Sequence, residues 1–156
     1  MPRPAGGASA PDSRAAVQCA LNPRSVAVLG ASDDLMKWGG SILALLRKFG
    51  FGGAVHPVNP RADAVQGIKA WPSVQAIGQP VDVAVIALPQ ERTEAAFEDC
   101  AAAGVKVILM VTSQFAESGA EGAALQDKLL AIARRAGMRI IGPNCMGYFN
   151  SHADMN

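Results

Sequence analysis

Short runs of β-branched and aliphatic residues alternate along this chain with stretches of helical spacing, and most runs end on glycine, proline or asparagine. The first run, Ser25–Val26–Ala27–Val28–Leu29–Gly30, has the pattern of a buried parallel strand. Residues 38–49 follow with Ile42, Leu45, Leu46 and Phe49 at helical spacing, and Gly50, Gly52 and Gly53 stop that helix. Residues 54–58 form a second strand that runs into Asn59–Pro60, where proline ends the pairing. A turn-rich connection through Trp71–Pro72–Ser73 leads to a third strand over residues 81–88. Glu91 and Glu94 stand in the first turn of the next helix, where carboxylates favour the positive dipole end. Phe97, Cys100 and Ala101 make the inward face of that helix, and residues 105–111 are a fourth strand. The last long helix, residues 120–136, places Leu125, Leu129, Ile132 and Ala133 on one side and closes on Arg134, Arg135 and Gly137. Residues 138–141 are the fifth strand, followed by Gly142–Pro143–Asn144.

Strand, helix and strand in repetition imply crossover connections and a parallel sheet covered by helices on both faces. The expected fold is therefore α/β: a Rossmann-like doubly wound parallel sheet of about five strands in the order 3-2-1-4-5. Ligands of such sheets sit beyond the carboxyl ends of the strands, where the order reverses. A chain of 156 residues fits one domain. Residues 1–13, rich in Pro, Gly, Ala and Ser, read as a disordered leader, 14–150 as the domain, and 151–156 as a tail or the start of a linker.

Composition narrows the function classes. Half the residues are hydrophobic but only 5% are aromatic, so Val, Ile, Leu and Ala must build the core. Fourteen basic against thirteen acidic residues leave a net charge of +1. That balance argues against nucleic acid or an anionic membrane as partner, so any bound anion is recognised locally. Residues 1–13 lack the apolar core of a signal peptide, and apolar runs such as 107–111 are far too short to cross a bilayer. The expected location is cytoplasmic. Cys19, Cys100 and Cys145 are far apart with no CxxC pair, which signals neither zinc nor a redox dithiol and reads as reduced thiols in the core. No metal ligand and no catalytic residue is assigned.

The segments that end at the carboxyl edge are polar or kinked. After the first strand come Gly30–Ala31–Ser32–Asp33–Asp34–Leu35–Met36–Lys37–Trp38–Gly39–Gly40, where glycine permits close backbone approach and N–H groups at the following helix can hold phosphate. The loop is neither GxGxxG nor a Walker A sequence. After the second strand come Asn59–Pro60–Arg61, where a dinucleotide site would usually offer Asp or Glu to the ribose hydroxyls. Arginine there suits a ribose phosphate, the 3′-phosphate of coenzyme A or the 2′-phosphate of NADP, and otherwise reads as a solvated side chain. Leu88–Pro89 follow the third strand and Thr112–Ser113–Gln114 the fourth. Hydroxyls at 112 and 113 can serve a pyrophosphate or an amide, or cap the connection into the last helix. Asn144, beside a proline, also reads as a turn residue.

Several of these runs together resemble the NDP-forming acyl-CoA synthetases, which include the ADP-forming acetate–CoA ligases and are related to the succinyl-CoA synthetase α subunit. The residues that carry the resemblance are Asn22–Pro23–Arg24–Ser25–Val26–Ala27–Val28–Leu29–Gly30–Ala31–Ser32, Pro57–Val58–Asn59–Pro60, Val81–Asp82–Val83–Ala84–Val85–Ile86, Phe115–Ala116–Glu117–Ser118–Gly119 and Gly142–Pro143–Asn144–Cys145–Met146–Gly147. They run in order from about residue 21 to about residue 150. The resemblance implies a CoA-binding domain in which Gly30, Ala31, Ser32 and Asp33 meet the nucleotide phosphates, and Lys37 in the same loop is a further binding candidate. Arg61 falls where the family commonly has a lysine beside the CoA phosphate, and Asn59 and Pro60 ahead of it are candidates for the same site. Leu88 and Pro89 would line the adenine or pantetheine path, and Thr112, Ser113, Gln114 and Asn144 would lie near the pantetheine arm. The family typically has glycine where Gln114 stands.

The family's acyl transfer also uses a phosphorylated histidine in a second domain and an ATP-grasp region. Neither His56 nor His152 sits in a matching motif. The expectation is thus a fragment or subunit-like piece that binds CoA without turnover, with ATP or ADP entering only through other domains or a β-type subunit. The alternatives are a free-standing CoA-binding regulatory protein, an NADP-binding oxidoreductase domain and a protein-interaction module.

Overall fold

The computed structural model describes residues 13–148 and 150. The expected leader apart from Ser13, and the expected tail with His152, lie outside the described residues. The elements in chain order are α1 (Ser13–Leu21), β1 (Ser25–Leu29), α2 (Trp38–Lys48), β2 (Ala54–Val58), β3 (Ala64–Val65), β4 (Ile68–Lys69), β5 (Val83–Ile86), α3 (Thr93–Ala102), β6 (Val107–Met110), α4 (Ala120–Ala136) and β7 (Arg139–Ile141).

Five strands form one parallel sheet, with Ala27 opposite His56 on one side and Ala84 on the other. Period-two alternation sends successive side chains of each strand to opposite faces. Val26, Val28, Val83, Val85, Val107 and Leu109 meet α1 and α2 on one face. Ala27, Leu29, Ala84, Ile86, Ile108 and Met110 meet α3 and α4 on the other, packed around Phe97, Leu129 and Ile132. Two buried faces explain why the central strands read as unbroken apolar runs.

The strand order is β2-β1-β5-β6-β7, or 2-1-3-4-5 counted along the sheet's strands, which corrects the expected 3-2-1-4-5. Proline accounts for the difference. Pro57 has no N–H, and its carbonyl faces away from β1 to accept from the Trp71 N–H at 2.9 Å. A further strand on that flank would meet a missing donor, so β2 is confined to the sheet edge. Among the described residues only Trp71 bridges there, beside Val58. All four residues of β5 are buried, and that strand takes the central place next to β1.

Sequence reasoning did not anticipate α1, whose Ala16, Cys19 and Ala20 pack at helical spacing against the face that carries α2. The Tyr148 hydroxyl donates to the Ala20 carbonyl and fastens this helix to the end of the domain. At the amino ends of the strands, buried Asp82 accepts from the Arg24 backbone N–H at 2.9 Å and the Arg24 Nε at 3.4 Å. The Asp82 N–H donates to Ser25 Oγ at 3.0 Å, and that hydroxyl donates to the Pro80 carbonyl at 2.9 Å. Two runs of the resemblance, around Arg24 and around Asp82, therefore form a clasp between β1 and β5 on the edge away from the candidate site.

Candidate functional site

In a 2-1-3-4-5 sheet the reversal point lies between the first strand and the third, here β1 and β5. Their helices leave in opposite directions: α2 covers one face and α3 the other. A cleft of about 1000 Å³ opens there, lined by residues 29–32 after β1 and 87–89 after β5. That volume lies at the upper end of the range for small-molecule sites.

The β1 loop is folded by its own polar groups. Ser32 Oγ accepts from the Asp34 N–H at 3.1 Å, Asp34 Oδ1 accepts from the Met36 N–H at 2.9 Å, and the Ser41 hydroxyl donates to the Leu35 carbonyl. The loop then doubles back on the first turn of α2. A Cβ on Gly39 would stand 2.0 Å from the Gly30 carbonyl oxygen, and one on Gly40 would stand 2.0 Å from that of Asp34. Gly30 itself has φ +86, and a Cβ there would meet the Ala87 carbonyl oxygen at 2.4 Å. These glycines are thus required for backbone to pass backbone, which brings Gly30, Ala31, Ser32 and Lys37 to the cleft. Asp33 points elsewhere: its Oδ1 accepts from the Gln66 N–H at 2.6 Å. The Gln66 side chain in turn donates to the carbonyls of Ser32 and Gly40, so the β3–β4 hairpin braces the loop.

Beyond β2, Asn59 links strand ends. Its Nδ2 donates to the Ala31 carbonyl at 3.0 Å and its Oδ1 accepts from the Arg61 N–H at 2.9 Å. Asn59, Pro60 and Arg61 all line the cleft, and the exposed Arg61 guanidinium makes no ion pair among the described residues. Leu88, Pro89 and Thr112 line it from the other side. The Thr112 hydroxyl donates to the Leu88 carbonyl at 2.7 Å and leaves its lone pairs to accept.

Four sequence candidates do not line the cleft: Asp33, Ser113, Gln114 and Asn144. Gln114 has φ +75, a conformation that favours glycine. Its N–H donates to Glu117 Oε1 at 2.8 Å and its carbonyl accepts from the Gln90 side chain. The Glu117 carboxyl is held below the usual range by N–H groups of its own backbone, of Phe115 and of Gln114. Asn144 stands beside the end of β6, donating its N–H to the Thr112 carbonyl at 3.0 Å.

Sequence reasoning missed Met36, Trp38, Ser73, Glu91, Arg92 and Asp99, all of which line the cleft. The Asp99 carboxylate accepts from the N–H groups of Val74 and Gln75 and from the Gln75 side chain, which fixes the 71–77 segment as one wall. Arg92, the residue before α3, stands between Glu91 and Glu94, the carboxylates expected at the positive dipole end. A cation at the positive end of a helix was the signal available in the sequence.

Neither the histidine nor the thiols of the described residues enter the cleft. Burial lowers the His56 pKa, and its Nε2 is buried without a partner. Burial, with Asp99 nearby, pushes the Cys100 thiol up to about 12. Cys100 is a core side chain, whereas Cys19 and Cys145 are only partly buried. Among the described residues no group of three or more His, Cys, Asp or Glu side chains is placed to hold a metal, and no helix is long and apolar enough to cross a membrane.

Residues 24–151 match the family described as CoA binding domain. The chain belongs to that family. This CoA-binding domain is 44% identical over 136 residues to the α subunit of acetate–CoA ligase [ADP-forming] II from Pyrococcus furiosus, a match covering 87% of this chain and 30% of that subunit. Among solved structures it resembles PH0766 from Pyrococcus horikoshii OT3, with a TM-score of 0.86, 39% identity, and 90% of this chain and 32% of that one covered. It also resembles the dinucleotide forming acetyl-coenzyme A synthetase 1 of Ca. Korarchaeum cryptofilum, solved with phosphate and ADP. There the TM-score is 0.84 and the identity 42%, over 87% of this chain and 29% of that one. The CoA-binding domain thus spans about 30% of the length of the curated relative quoted.

Proposed function

We propose that this chain is the CoA-presenting domain of a cytoplasmic ADP-forming acyl-CoA synthetase, holding CoA in the crevice between β1 and β5. In the reaction of such an enzyme the CoA sulfur attacks the acyl carbon of an acyl phosphate. The bond from that carbon to the bridging oxygen breaks, phosphate leaves with the oxygen, and the thiol proton is released. The activated acyl group and the nucleotide chemistry would come from the remaining synthetase domains or a β-type ATP-grasp subunit, in accord with the share of its relatives that this chain spans.

The observation that carries the reading is Arg61. It stands beyond β2 at the cleft, where a nucleotide site that reads free ribose hydroxyls would carry a carboxylate. The cleft fits the rest of CoA: it is wide, mostly apolar around Leu29, Val58, Leu88 and Pro89, and open to the backbone of Gly30 and Ala31 for the pyrophosphate. In this reading Ser32, Asp33 and Lys37 serve the phosphate loop, Asn59 and Pro60 hold the ribose side, and Thr112, Ser113, Gln114 and Asn144 flank the pantetheine arm. For Asp33, Gln114 and Asn144 that role is indirect, through the loops they brace.

Parallel calorimetric titrations with CoA, 3′-dephospho-CoA and NADPH test the proposal. CoA is expected to bind, dephospho-CoA more weakly, and NADPH not at all. Arg61→Ala is expected to weaken CoA by about 10- to 100-fold, the loss of a charged hydrogen-bonding partner, while leaving dephospho-CoA affinity unchanged. Binding of NADPH with no response to CoA would replace this reading with the oxidoreductase one.

A further inference from the structure

The geometry points to Arg92 as a second anion-binding residue of the cleft, holding the 5′-pyrophosphate of the ligand while Arg61 takes the ribose 3′-phosphate. The inference rests on the CoA reading above and extends it to a residue outside the sequence candidates.

Three cationic side chains reach the cleft from three separate elements: Lys37 ahead of α2, Arg61 after β2 and Arg92 ahead of α3. Lys37 stands 3.9 Å from the Asp34 carboxylate and is partly balanced. Arg61 and Arg92 make no ion pair among the described residues, whereas Arg24, Lys128 and Arg135 each do. The carboxylates that share the lining do not alter this. Asp99 is bound to the N–H groups of Val74 and Gln75, and Glu91 stands exposed at the rim.

Arg92 also occupies an electrostatically poor position. It directly precedes α3, where the helix dipole repels a cation, and an anion across the cleft would offset that repulsion. Their placement bears on the kind of anion. β2 and β5 flank β1, so Arg61 and Arg92 enter the cleft on loops that follow different strands. Two unpaired cations on separate loops suit a ligand with two phosphate-bearing groups. A nucleotide bearing both a 3′-phosphate and a 5′-pyrophosphate supplies such a pair.

Calorimetry of the chain and of Arg92→Ala, Arg92→Lys and Arg61→Ala with CoA and dephospho-CoA tests the assignment, with circular dichroism confirming that each variant is folded. Arg92→Ala is expected to weaken both ligands by a similar factor, about 10- to 100-fold. Arg92→Lys should restore part of that loss, because charge is kept while the bidentate fork is not. Arg61→Ala should weaken CoA alone. Wild-type binding of CoA with an indifferent Arg92→Ala variant overturns this inference and leaves the CoA reading standing. A loss confined to CoA moves Arg92 to the 3′-phosphate and also overturns it. Failure of the wild-type chain to bind CoA overturns both.

Discussion

Gln114 is held at φ +75 by bonds to its own backbone, with its N–H on Glu117 and its carbonyl under the Gln90 amide. None of those bonds uses the Gln114 side chain, and that side chain does not line the cleft. Gln114→Gly should therefore keep the loop and relieve the left-handed strain, raising unfolding stability by about 1 kcal/mol in denaturant titrations. CoA affinity should not change. A marked loss of affinity would instead make the Gln114 side chain a ligand. At this scale the sequence was informative where a residue type is unusual for its place. Arg61 stood out because an acidic residue is normal there, and Gln114 because the resembling family has glycine. Asp33 could not be assigned from sequence, because its partner, the Gln66 N–H, is 33 residues away on a hairpin that only the folded chain brings near. Arg92 was hidden for a related reason: which side of a helix start faces a cleft depends on the packing of α3 against the sheet.

Among the elements, α4 was legible to the residue, since its apolar face, its closing arginines and Gly137 at φ +69 all mark the same boundaries. The five sheet strands were also legible, because two buried faces force apolar runs. Strand order was not. It depends on Pro57, whose missing donor matters only once its carbonyl is seen to face outward. The correction moves the reversal point from the fourth strand to β5, and so moves the expected ligand crevice toward residues 87–92. The first turn of α2 is the element on which that crevice most depends. Gly39→Ala would drive a Cβ into the Gly30 carbonyl, and neither partner is a flexible side chain. The variant should displace the phosphate loop, lowering both the thermal midpoint and CoA affinity. A Gly39→Ala protein with wild-type midpoint and affinity would show that the close approach of α2 to the β1 loop is dispensable.

The whole molecule has two unlike edges. At the amino ends of the strands, Arg24, Ser25, Pro80 and Asp82 satisfy one another in a clasp. At the carboxyl ends, loops from β1, β2, β5 and β6 surround a cleft in which two arginines have no ion-pair partner among the described residues. Asymmetry of that kind suits a domain that holds a polyanionic ligand on one side. The central claim is that CoA occupies this crevice. Amide chemical-shift mapping of the isotope-labelled chain during CoA titration tests it most directly. The account predicts saturable shifts at Gly30–Ser32, Asn59, Arg61, Leu88, Arg92 and Thr112, with the clasp around Arg24 and Asp82 unmoved. Shifts centred on that clasp, or none anywhere at millimolar CoA, would contradict it.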